Sequence, residues 1–90
     1  MNRLEETLVI LAEEAAEVIQ QVAKIQRFGI DSEHLKESGT TQREKLQQEI
    51  GDFLCLVDAL VDQGILTEKE LVAAKRKKAL KLEIWSKIYE

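Results

Sequence analysis

Residues 4–25, LEETLVILAEEAAEVIQQVAKI, place Leu4, Leu8, Leu11, Ala15, Val18, Val22 and Ile25 at steps that alternate between four and three. That spacing gathers the apolar side chains along one face of an α-helix, whereas a strand with period two would scatter them over both faces. Asn2 and Glu5 stand like a capping box ahead of the stripe, and Gly29 is a natural stop after it. The pattern predicts a first helix from about residue 3 to about residue 28.

The rest of the chain repeats this grammar. Thr41 and Glu44 form a second capping pair, followed by Leu46, Ile50, Phe53, Leu54, Val57, Leu60 and Val61. The apolar arc is wide, so this helix is expected to be the most buried, ending near Gln63-Gly64. Thr67 and Glu70 open a third helix, expected to run to the C-terminus. Between the first two helices, GIDSEHLKESGT (29–40) reads as a polar connection with a short helical turn around Ser32–Lys36. The expected fold is all-α: three main helices and one short irregular connection, a single domain over residues 1–90, assembling into an oligomeric helical bundle.

Bulk properties narrow the function. The chain has 90 residues, no proline, and a net charge of −4. That charge argues against non-specific nucleic-acid binding, which needs a basic face. A nucleotide ligand stays open if a metal ion carries the positive charge. One cysteine, Cys55, excludes an internal disulfide framework and fits a reducing cytoplasm. The N-terminus lacks a signal-like apolar region and no apolar run is long enough for a membrane. A soluble cytoplasmic protein is expected. So small a chain hides only about 60–65% of its unfolded surface, so that it gains from association.

Three glutamates interrupt the first helix. Glu14 and Glu17 share a line with Thr7, Ile10, Gln21, Lys24 and Phe28 that borders the apolar stripe, while Glu13 falls further round toward solvent. On the second helix Lys45, Glu49, Asp52, Leu56 and Ala59 form a matching line. If the two helices pack antiparallel, both carboxylate pairs meet near mid-helix. Like charges brought together need a counter-charge, and an all-oxygen donor set suits Mg²⁺, with Mn²⁺ as a substitute. Zinc is poorly served by one Cys and one His, and His34 stands in no Glu-x-x-His pair of the di-iron kind. Pairs of this spacing also occur on ordinary solvated faces, and pattern alone leaves both readings open.

Glu13-Glu14-x-x-Glu17 followed by Glu49-x-x-Asp52 resembles the EExxE…ExxD signature of the MazG-like all-α nucleoside triphosphate pyrophosphohydrolases. The likeness extends through LAEEAAEVIQQVAK (11–24), EIGDFLCLVDALVDQGIL (49–66) and the basic closing segment KRKKALKLEIWSKIYE (75–90). The 31 residues between Glu17 and Glu49 make a long gap for that family, and the extra length falls in the connection. The resemblance implies Mg²⁺-dependent cleavage of a (d)NTP between the α and β phosphates, giving (d)NMP and pyrophosphate. Carried over by position, Glu14, Glu17, Glu49 and Asp52 would be the metal ligands, and Glu13 would support them. Glu17 or Glu49 would take the proton of the attacking water. The family also assembles as dimers or dimers of dimers, which implies a homodimer or homotetramer here. The rival reading is a non-catalytic helical dimerisation or nucleotide-binding module.

Positive charge for a triphosphate is sought first in Lys75 and Lys78, within the basic run 75–81, and then in Lys24. Most of that run reads as a solvated face. Trp85, Phe28 and Phe53 are expected to be core or interface residues, His34 an exposed bystander, and Cys55 a small buried hydrophobe. Asp58 and Asp62 should face solvent.

Overall fold

A computed structural model describes all 90 residues and is all-helical: α1 (Arg3–Phe28), α2 (Gln42–Asp62) and α3 (Glu68–Trp85). There is no strand, only an isolated bridge between Glu33 and Thr41. The three predicted caps all form. Asn2, Thr41 and Thr67 accept the N–H groups of Glu5, Glu44 and Glu70, each using a side-chain oxygen. Such a bond satisfies one of the donors that every helix start leaves free. Gly29 ends α1 with a φ of 94°, a value that side-chain-bearing residues rarely adopt.

Two predicted boundaries differ. α3 stops at Trp85 because Ser86 turns extended and both its N–H and its hydroxyl donate to the Leu82 carbonyl. A side chain that takes a backbone acceptor in this way competes with the helix. The connection at 29–41 contains no helical turn at Ser32–Lys36. It wraps the start of α2 instead, where the Gln42 and Arg43 N–H groups donate to the Ser32 and Ile30 carbonyls. Those donors have no partner within the helix itself, so the connection is ordered by serving them.

α1 and α2 pack antiparallel, pinned by polar contacts near both ends. Gln63 Nε2 donates to Thr7 Oγ1 at 2.9 Å, and Gln21 Nε2 donates to Gln42 Oε1 at 2.7 Å and to the Gln42 carbonyl at 3.1 Å. The line that begins at Thr7 therefore runs through the seam itself. Thr7 and Gln21 are buried, whereas Leu8 and Val22 of the apolar stripe are exposed. Leu60 is the one buried hydrophobic residue. α2 holds the most buried residues of the three helices, as its wide arc predicts, although Ile50 and Leu54 are open to solvent, and Cys55 is exposed rather than buried.

α3 makes only sparse contact with this pair. Between α2 and α3 lies an open, mostly apolar cleft of about 400 Å³, walled by Phe53, Leu54 and Val57 on one side and Leu71 and Val72 on the other. The molecule measures 39 × 39 × 16 Å, a plate rather than a sphere. Its accessible surface is 7025 Å², where a compact monomer of this mass would expose roughly 5,400 Å². No helix is long and apolar enough to cross a membrane.

Candidate metal centre

Glu14 stands midway between the two ends of the seam, seven residues after Thr7 and seven before Gln21. Seven residues make almost two helical turns, so all three face α2. Opposite Glu14, α2 presents Glu49 and Asp52. One carboxylate oxygen from each of Glu14, Glu49 and Asp52 lies within 4.8 Å of the others. Glu49 is buried, Glu14 half-buried and Asp52 exposed, so the cluster opens to one side. The polar pins at both ends hold the helices in the register that brings these residues opposite one another.

The electrostatics are those of crowded anions. The Glu14 carboxyl titrates above its ordinary range, first because it is partly desolvated and then because Asp52, Glu49, Glu17 and Glu13 all repel its negative form. The donor set is oxygen only and incompletely neutralised, and it could hold a hard divalent cation.

Glu17 belongs to the surroundings of this trio. Its charge reaches Glu14, but it is exposed and its oxygens are outside the 4.8 Å group. Three of the four expected ligands thus come together. Glu13 is exposed, as its place further round the helix predicts. Asp58 and Asp62 face solvent.

Lys24, Lys75 and Lys78 form no ion pair with the trio. The chain's ion pairs are Arg43–Asp31, Lys45–Glu37 and Lys45–Glu49. Lys75 lies on the α2/α3 cleft and Lys78 in solvent. The cation at the site is Lys45, one turn before Glu49, with Nζ 3.5 Å from Glu49 Oε1 and 3.0 Å from Glu37 Oε1. The sequence held half of this signal, since Lys45 shares the line of Glu49 and Asp52. Glu37 could not be found that way, because its position depends on how the connection folds.

The connection is ordered by several local bonds. Glu33 accepts the Gly39 N–H at 2.9 Å, Asp31 holds Arg43 through two hydrogen bonds, and Gln42 Nε2 reaches the Glu33 carbonyl at 3.4 Å. These partners lower the pKa values of Glu33 and Asp31, through a backbone N–H for the first and the guanidinium for the second. The Lys45 hydrogen bond does the same for Glu37. His34 is buried inside this loop rather than exposed. Its Nδ1 accepts the Lys36 N–H at 3.2 Å, and its Nε2 has no hydrogen-bond partner. Trp85 and Phe28 are not core residues of the single chain. Trp85 is 81% exposed, and Phe28 lies half open under the Arg27 guanidinium.

Compared with protein-family models, with curated proteins and with solved structures, the chain matches none of the three.

Proposed function

We propose that this protein is a Mg²⁺-dependent nucleoside triphosphate pyrophosphohydrolase of the MazG-like kind, acting in the cytoplasm as a homodimer or homotetramer. The observation that carries the reading is the meeting of Glu14, Glu49 and Asp52 across the α1/α2 seam. That meeting supports the motif resemblance because the two halves of the motif face each other with oxygen donors at a cation's reach. The free, exposed Cys55 suits a reducing compartment.

Glu14, Glu49 and Asp52 would hold the ion, and Glu17 would complete or border its shell. The chemistry that Mg²⁺ supplies when bound is neutralisation of the charge that builds on the phosphate oxygens. Glu17 stands one turn after Glu14 on α1, outside the trio, where its carboxylate can accept a proton. A water oxygen attacks the α-phosphorus, its proton passes to the Glu17 carboxylate, and the bond from the α-phosphorus to the α–β bridging oxygen breaks as pyrophosphate leaves. Glu49, buried and fixed by Lys45, keeps the metal-binding face of α2 in place.

Oligomerisation is supported by surface area. The excess of roughly 1,600 Å² over a compact monomer is what each partner would hide in a large obligate interface. Leu80, Ile84 and Trp85 of α3, with Ile88 just beyond it, supply apolar surface of the right kind.

Pyrophosphate release from a panel of NTPs and dNTPs tests the reading, with melting curves at rising Mg²⁺ alongside. Wild type should turn over at least one triphosphate and gain roughly 5–10 °C in Tm at tenfold excess over the Mg²⁺ Kd. Glu49→Gln should lose both properties. Glu17→Gln should keep most of the Mg²⁺ response and lose about 10²–10⁴-fold in kcat. Wild type inactive on the whole panel would refute the proposal.

A further inference from the structure

α3 carries two unsatisfied apolar features, one at each end. Near its start, Leu71 and Val72 face Phe53, Leu54 and Val57 of α2 across the open cleft of about 400 Å³. Near its end stand Ile84 and Trp85, with Ile88 just beyond, all exposed. Thirteen residues of continuous helix separate Val72 from Trp85, about 20 Å. The end of α3 therefore cannot turn back into the cleft at its own start.

The cleft has the form of a seat for another segment. Helices that pack directly lie about 8–10 Å apart with their side chains interlocked. α2 and α3 instead touch only sparsely, although their apolar sides face each other. Phe53 also borders an apolar hollow of about 200 Å³ with Val18 of α1 and Ile50 of α2, so the apolar face runs on across the helix pair. Continuous apolar surface of this kind is what protein contacts cover.

Charge selects the occupant. Asp58 and Glu68 border the cleft and outnumber Lys75 there. Residues 75–90 hold six Lys and Arg against two Glu, in a chain whose net charge is −4. The apolar, basic end of α3 thus complements the apolar, acid-edged cleft at its start.

We infer that two copies pair with their α3 helices antiparallel, the Ile84–Trp85–Ile88 end of each seated in the α2/α3 cleft of the other. Because both features lie on one helix, a two-fold axis across α3 fills both clefts at once and closes the assembly. Trp85 is the anchor, a large side chain of the type that dominates interface energetics. Lys87 comes to Asp58 and Glu68. The accessible surface of 7025 Å², against roughly 5,400 Å² for a compact monomer, leaves more than the roughly 800 Å² that each partner hides in an ordinary interface. The pairing rests on the association proposed above and not on the hydrolysis.

The test follows Trp85, the only tryptophan of the chain, which lines no part of its own cleft. Leu54→Glu puts a charge into the cleft at a position already 49% exposed, where the single chain tolerates it. At micromolar concentration this variant should fall from at least twice the 10.3 kDa chain mass to that mass in light scattering, and its Trp85 emission should shift to the red. Two single-cysteine variants test the direction: Asp58→Cys and Lys87→Cys, each combined with Cys55→Ser, are mixed and treated with a short bis-maleimide. The covalent dimer should form mainly between the two different variants.

Leu54→Glu with the wild-type mass and emission would overturn the inference, as would cross-linking as strong within either cysteine variant alone as in the mixture. Should Leu54→Glu lose its helical circular dichroism, the cross-link decides, and its absence from a mixture of dimeric mass overturns the pairing. A wild-type mass of 10.3 kDa removes association and pairing together. A dimer that passes both tests yet cleaves no triphosphate upholds the pairing and removes only the chemistry.

Discussion

Glu14 is the residue where the site's charge problem is most concentrated. Its carboxyl is raised above the ordinary 4.5 by partial desolvation and by four neighbouring carboxylates. In the unfolded chain those neighbours disperse and the ordinary value returns. The folded state therefore binds this proton more tightly than the unfolded state. The stabilisation from that proton is complete below the ordinary value and is lost as pH rises through the raised one. Glu14→Gln removes this term, so the metal-free variant should melt above wild type at neutral pH, the gap closing toward about pH 4. With Mg²⁺ the order should reverse, since wild type keeps the ligand that the variant has lost. Asp31, Glu33 and Glu37 have lowered pKa values and act in the opposite sense, losing stability as pH falls, but they are common to both proteins. Melting curves with EDTA and with Mg²⁺ from about pH 4 to 8 check this. A metal-free variant no more stable than wild type at neutral pH would contradict it.

At the scale of elements, the α1/α2 seam is an unusual one, with polar residues at its best-buried positions. Gln42 has no exposed surface, and its amide joins three parts of the chain: Gln21 of α1, its own helix α2, and the Glu33 carbonyl of the connection. Gln42→Ala strips Gln21 of its side-chain acceptor inside the seam, a loss of about 1–3 kcal/mol. That corresponds to a fall in Tm of roughly 5–20 °C for a chain of this size. Gln47→Ala, at an exposed position of the same helix, should change stability by no more than about 0.5 kcal/mol. Thermal melts of the two variants test this, and equal effects would show that the seam does not depend on the amide pair. The helix caps were legible in advance because capping is local: Asn2, Thr41 and Thr67 each need only the N–H three residues on. The path of residues 29–41 was not. Its conformation comes from carbonyls that serve another element's unpaired donors, and no short-range pattern encodes that.

For the molecule as a whole, the chain has one buried hydrophobic residue and a plate-like shape. Ile84 and Trp85 at the end of α3, and Ile88 and Tyr89 just beyond it, are all more than half exposed. A second copy covering this surface would hide the apolar area that a 90-residue chain cannot hide alone. Light scattering at micromolar concentration should give at least twice the 10.3 kDa chain mass. Trp85, the single tryptophan, reports the contact: Ile84→Glu should lower the mass toward the monomer and shift the emission to the red. A wild-type mass of 10.3 kDa would overturn the assembly.

By itself the sequence determined the helices, their starts and the class of the fold, because periodicity and caps act within a few residues. It also marked Glu14, Glu17, Glu49 and Asp52 as two pairs on two faces. Only the tertiary structure decided that Glu14, Glu49 and Asp52 meet while Glu17 stands aside, and that Lys45, not a lysine of α3, is the cation beside them. The reason is register. The Thr7–Gln63 and Gln21–Gln42 bonds set how α1 lies on α2, and with it which side chains share a point in space.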